Sequence, residues 1–322
     1  YKTISAMNDP FAGIDPDAPD WFRTAITHPV QSQFVEVLGC RIHYLAWFRS
    51  AAEGACVPKT PGLLLIHGGG AHANWWRFIA PFFADSHRVC AIDLSGMGES
   101  GARNLYSSES WAAEIDAVLC DAGLFVEGSD PNSPKPLVVG HSFGGLMAMK
   151  FGAKSGHRLG GTVIVDSPVQ DPAETPLPEP ANSTRMGPPI YPDQTTALSR
   201  FRLMPAQPCE NDFITNYIAR TSIREFEGGW SWKFDFRVMG SRRFGEPYRA
   251  ELGALKGRVA LIYGEKSAIV SPQTVAYMSQ LMGQEAPIVE IPNAHHHLML
   301  DQPLAFVAAL RAILDTWSRH PR

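Results

Sequence analysis

The chain has 322 residues, 45% of them hydrophobic and 19% charged, with a formal net charge of -4. That balance supports a large folded core and argues against disorder; no basic stripe marks a nucleic-acid partner, and no apolar run reaches the roughly 18 residues of a membrane span. Five scattered cysteines without a CxxC pair point to a reducing, cytoplasmic setting rather than a disulfide scaffold, although the chain opens on Tyr1 and a removed leader stays open.

Residues 1–30 are rich in proline and aspartate and are expected to wrap the surface as an N-terminal extension. Phe34 to Trp47 (FVEVLGCRIHYLAW) then predicts two strands around a Leu38-Gly39 turn. Six short apolar runs follow, in GLLLIHGGG, RVCAIDLSG, PLVVGHS, GTVIVDSP, RVALIYGE and PIVEIPNA. Each is short, at most five residues, and many of the side chains are β-branched, the pattern of strands buried on both faces. Helical spacing fills several intervals, notably Trp111 to Gly123 and Phe143 to Gly156. A third helix is expected after Ser271, a capping residue followed by proline. Such alternation predicts an α/β fold with a mostly parallel sheet wound on both faces.

One interval breaks the rhythm. Between VIVDSP and RVALIYG lie about ninety residues, far more than a crossover needs. Its first part is proline-rich, and its second, from Gln194 to Phe236, combines helical patches with Phe and Trp. The division expected is a core of residues 31–167 and 252–322, with residues 168–251 inserted as a lid over the C-terminal edge of the sheet. A structural excursion without ligand contact is the plainer alternative.

The chemistry begins at Gly140-His141-Ser142-Phe143-Gly144. A G-x-S-x-G between a buried strand and a helix is a nucleophile elbow: the serine sits on a sharp, strained turn, and only glycines fit two residues to either side. Its hydroxyl then stands at a helix start, beside unpaired backbone N–H groups.

Together HGGG, DLSGMGES, GHSFGG and NAHHHLMLDQP, in that order, resemble the α/β-hydrolase superfamily in its lid-bearing branch, from about Phe34 to Trp317. The resemblance implies an eight-stranded sheet and an inserted helical lid. It implies an oxyanion hole made by the amide of Gly69 or Gly70 and the amide of Phe143. Preorganised donors of this kind stabilise the negative oxygen formed when an ester is attacked. His67 is expected to orient the glycine loop. His72, Trp75 and Trp76 follow closely and are candidate pocket walls, though the tryptophans serve equally well as packing.

Acyl transfer from a serine needs an imidazole that takes a proton and later returns it. Aligned on Pro303 and the last helix, the family histidine falls on His296, with His295 as the alternative and His297 as a neighbour. The triplet lacks the HExxH spacing of a metal site, and no metal or other cofactor is expected.

The acid is less obvious. The family usually carries it just after the strand ending at Tyr263, where this chain has Ser267. Glu265 is near but lies too close to the strand end. Asp166, closing the preceding strand GTVIVD, is the better candidate, because parallel strands lie about 4.8 Å apart and both tips face one site. Some relatives in the superfamily use that earlier position. The expected triad is therefore Ser142, Asp166 and His296, with Glu265 or an incomplete dyad as alternatives.

Gly96-x-Gly98-x-x-Gly101 mimics a dinucleotide fingerprint but follows the wrong strand, and is expected to be a structural turn. In the insert, Trp230 and Trp232 are candidate pocket residues or the insert's own core. The activity implied is hydrolysis of a carboxylic ester or lactone of a largely apolar small molecule through an acyl-serine intermediate. A C–C bond hydrolase of diketones and a hydrolase-like small-ligand receptor are the rivals. A homo-oligomer is neither required nor opposed by the composition.

Overall fold

A computed structural model describes residues 17–48, 60–125, 133–171, 189–238, 248–255, 257–283 and 285–319. Cys56, most of the N-terminal extension and the proline-rich start of the insert lie outside the described residues. In chain order the strands are β1 (Gln31–Val37), β2 (Cys40–Ala46), β3 (Gly62–Ile66), β4 (Arg88–Ile92), β5 (Leu137–His141) and β6 (Gly161–Val165). They continue as β7 (Ile223–Phe226), β8 (Gly229–Trp232), β9 (Val259–Gly264) and β10 (Ile288–Ile291). Eight of them form one sheet in the order β1-β2-β4-β3-β5-β6-β9-β10. β1 and β2 run antiparallel, β2 meets β4 antiparallel, and every later pair in the sheet is parallel.

The alternation of strand side chains explains why the apolar runs are continuous. Leu63, Leu65, Val139, Val163 and Ile262 enter the core on one face, while Leu64, Ile66, Val138, Ile164 and Leu261 enter the core on the other. Both faces are covered. Helices Ser108–Asp121 and Phe143–Ser155 pack with the second set, and helix Pro303–Arg319 with the first. The Ser107 side chain caps the first of these by accepting from Ser110 N–H. Ser271 caps helix Pro272–Met282 in the same way, through Thr274 N–H.

Two segments differ from expectation. The N-terminal stretch does more than wrap the surface: helix Asp20–Thr27 buries Phe22, Ala25 and Ile26. The Phe22 ring lies 4.9 Å from Phe213 and 5.7 Å from Phe78, so one side chain joins this helix to both core and insert. Full burial of such a ring is worth about 2–3 kcal/mol. The insert is not purely helical either. It carries helices Gln194–Ser199 and Asp212–Thr221, but Ile223 to Trp232 forms the β7–β8 hairpin. The alternating Trp230 and Trp232 belong to the strand period of this hairpin.

The chain passes from β3 outward to β4, then returns to β5 on the other side of β3. This reversal is a topological switch point, where ligands bind beyond the C-terminal strand ends. The glycine loop after β3 and the serine after β5 both emerge there. Among the described residues, no helix is long and apolar enough to cross a membrane.

Candidate active site

Ser142 follows β5 directly and precedes helix Phe143–Ser155. Its backbone angles are φ 51° and ψ -121°, a strained region for a residue with a side chain. The turn is held by Ser142 N–H donating to Val165 O at 2.8 Å. Any side chain on Gly144 would strike the carbonyls of His67 and Ile66, so that position must be glycine. The Ser142 side chain does not cap the helix it opens.

Asp166 also has positive φ, 46°, and is fully buried. One carboxylate oxygen, Oδ1, accepts Gly264 N–H at 2.9 Å. The other, Oδ2, lies 2.7 Å from His296 Nδ1 and accepts the Ser267 hydroxyl at 2.6 Å. Three donors thus surround a carboxylate that burial alone would penalise. A proton on Nδ1 leaves the His296 Nε2 lone pair available. His141, beside the serine, is bonded through its Nε2 to the His296 carbonyl at 3.0 Å, joining the elbow to the histidine loop.

The competing residues lie elsewhere. Glu265 is exposed and accepts Asn293 N–H at 2.7 Å. His295 turns to Asp301, with Nδ1 to Oδ2 at 3.1 Å. His297 is buried beside Trp75, the ring centroids being 5.2 Å apart. Insert residue Gln207 fastens this loop: its Oε1 accepts His297 N–H at 2.8 Å and its Nε2 donates to Asp301 Oδ1 at 2.9 Å.

In the glycine loop, His67 Nδ1 donates to Gly68 O at 2.7 Å and its Nε2 accepts Leu94 N–H at 3.1 Å. Burial pushes its protonation downward from the ordinary histidine value, which suits that neutral tautomer. Gly70 N–H points at Met97 Sδ, 3.4 Å away, while Gly69 N–H has no partner among the described residues. Phe143 is buried, and its ring packs edge-on against Trp111 at 4.8 Å.

His72 is buried, with Nε2 2.8 Å from Ser222 Oγ of the insert, and burial lowers its pKa to about 3. Trp75 and Trp76 are both buried. Trp232 packs between Tyr191 at 5.9 Å and Phe201 at 6.1 Å, both insert residues. Trp230 is half-buried, and its backbone pairs with Tyr191. Phe234, in the same aromatic run, bridges to Met97, and its ring would lie 4.0 Å from a Cβ on Gly70. Its signal was the aromatic run WSWKFDF, which cannot say which ring faces the core.

The loop DLSGMGES wraps its own carboxylate. Asp93 is buried against His43 Nδ1 at 2.7 Å and also accepts Ala73 N–H at 2.5 Å and Glu99 N–H at 2.8 Å. Gly98, at φ 60°, has no room for a side chain against that carboxylate. The glycines here serve a turn.

Comparison with known proteins agrees with this architecture. The model of the Alpha/beta hydrolase family matches residues 63–310. Esterase Rv0045c of Mycobacterium tuberculosis is 25% identical over 266 residues, covering 80% of this chain and 84% of that protein. The (lyso)-N-acylphosphatidylethanolamine lipase of Mus musculus is 24% identical over 278 residues, covering 80% of each. Among solved structures, a thioesterase domain from the curacin biosynthetic pathway superposes with a TM-score of 0.69 at 25% identity, covering 88% of this chain and 99% of that one. With a matched model spanning most of its length, a nucleophile-elbow sequence at the switch point and the eight-stranded sheet, the chain belongs to the alpha/beta hydrolase family.

Proposed function

We propose that this hydrolase cleaves a carboxylic ester or lactone of a largely apolar small molecule, with Ser142 as nucleophile, His296 as base and Asp166 as the acid that orients it. The observation that carries the reading is the 2.7 Å contact between His296 Nδ1 and the buried Asp166 Oδ2, on a loop tied to the serine turn through His141. The serine adds to the acyl carbon as its proton passes to His296 Nε2. Asp166 holds the imidazole in the required tautomer and offsets the charge that forms on it. The leaving alcohol takes the proton, and water then releases the acyl group by the reverse roles.

The oxyanion donors in this reading are the amides of Gly69 and Phe143. Gly70 is the weaker candidate because its N–H is directed at Met97. Insert residues 168–251 act as the lid, and the Phe234 ring lies beside the glycine loop at Gly70. A C–C bond hydrolase of diketones fits less well, since that branch carries its acid after β9, where Ser267 stands.

The test is turnover of p-nitrophenyl esters of graded acyl length, lactones and a diketone by wild type and Ser142→Ala. Multiple turnovers of esters or lactones that the substitution abolishes are expected. Saturable ligand binding with negligible turnover of every class would replace this reading with a small-ligand receptor.

A further inference from the structure

Three imidazoles converge where the sequence pattern argued against a metal. One ring nitrogen each from His141, His296 and His297 lies within 4.8 Å of the other two, and all three rings are buried. Their centroids are 4.6 Å apart for His296 and His297, 4.8 Å for His141 and His296, and 5.5 Å for His141 and His297. The triplet itself could not reveal this, because the third ring comes from β5.

A second observation concerns His297 alone. Buried polar groups are ordinarily hydrogen-bonded. Yet His297, only 4% exposed, has neither ring nitrogen bonded among the described residues. The Met204 backbone approaches the ring without an aligned bond.

We propose that His141, His296 and His297 form a binding site for a Zn2+-type divalent cation, whose occupancy silences the hydrolase by taking the His296 lone pair. The binding half stands on these three rings; the silencing half rests on the role of His296 proposed above.

The lone pairs are available. Asp166 accepts the Nδ1 proton of His296, so Nε2 is free to ligate. Nε2 of His141 donates to a carbonyl, so Nδ1 carries its lone pair. His297 offers one in either tautomer. A carboxylate or carbonyl behind the ring is the usual support of a metal-bound histidine.

Zinc–nitrogen bonds of about 2.0–2.1 Å in tetrahedral geometry need nitrogens ~3.4 Å apart. Between the nitrogens that lie within 4.8 Å of one another, that geometry asks for a closure of ~1.4 Å at most. An all-imidazole set favours Zn2+, Cu2+ or Ni2+ over the oxygen-seeking Mg2+ and Ca2+.

The experiment uses the full chain stripped with a chelator. Zn2+ is titrated by calorimetry, Co2+ by its tetrahedral visible bands, and ester turnover is followed in parallel. One cation per chain is expected, with turnover falling as the site fills, recovery on adding EDTA, and no response to the same concentration of Mg2+. His297→Ala should raise the Zn2+ concentration for half-inhibition at least tenfold, and His141→Gln should do the same if the first variant fails to fold. Ser142→Ala should bind Zn2+ like wild type. Absence of Zn2+ uptake by wild type, or equal uptake by wild type and a folded His297→Ala or His141→Gln, overturns the site. Uptake by Ser142→Ala with no ester turnover in wild type would leave the site standing and overturn the hydrolase reading instead.

Discussion

Ser267 donates its hydroxyl at 2.6 Å to Asp166 Oδ2, the same oxygen that meets His296 Nδ1 at 2.7 Å. The residue after β9 has thus become the support of a carboxylate carried by β6. Asp166→Asn should lower kcat about 10⁴-fold, because the imidazole loses its orienting charge. Adding Ser267→Asp in that background should recover at least tenfold, since the new carboxylate starts from the position already in contact. Ser267→Ala alone should lower kcat roughly three- to tenfold, the net worth of one ordinary hydrogen bond. Single-turnover kinetics of the four proteins checks this; near-wild-type turnover of Asp166→Asn would reassign the acid.

His72 gives an acid-side stability prediction. Its pKa falls from 6.5 unfolded to about 3 in the buried site. Between those values the unfolded chain binds the extra proton, so stability rises with pH and the full contribution is present above about 6.5. The loss on acidification is about 1.4 kcal/mol per pH unit within that window. His67, His141 and His297 lean the same way. Urea unfolding of His72→Gln should show a shallower decline from pH 6.5 to 4.5 than wild type, and an equal slope would refute the assignment.

Asp93 is the corresponding anion in the structural turn. Its carboxyl is held below the ordinary aspartate range against the cost of burial, chiefly by the bond to His43. Asp93→Asn should cost about 3 kcal/mol in urea unfolding at pH 7, the scale for breaking a buried pair. A loss below ~1 kcal/mol would mean that the backbone donors at Ala73 and Glu99 are satisfied without the charge.

Phe234 tests the lid reading. Truncation to Ala should raise KM for long-chain acyl esters about tenfold while kcat for acetate stays within threefold, matching the apolar contact area removed. Uniform loss across acyl lengths would point instead to a structural role beside Gly70.

Much of this was legible in the residues. The strands of the parallel sheet were visible because burial on both faces writes an uninterrupted apolar run, as in Leu63 to Ile66. The elbow was visible because Gly140 and Gly144 leave no space for a side chain. Asp166 could be ranked above Glu265 because it closes an apolar strand run, whereas Glu265 stands nearer its strand end than the family position expects. The β7–β8 hairpin was not legible, since four-residue strands in an aromatic stretch carry too few periods to separate from helix. Nor was the meeting of His141 with His297, which depends on two strand tips brought together across more than 150 residues of chain.

Gln207 has a consequence for protein engineering. By gripping both His297 and Asp301, the inserted segment acts as a clasp on the very loop that carries His296. Replacing the segment between β6 and β9 with a foreign one would therefore reach beyond the segment itself. A chimera without an amide at this place would be expected to let the imidazole wander, and would turn over slowly even on the smallest esters.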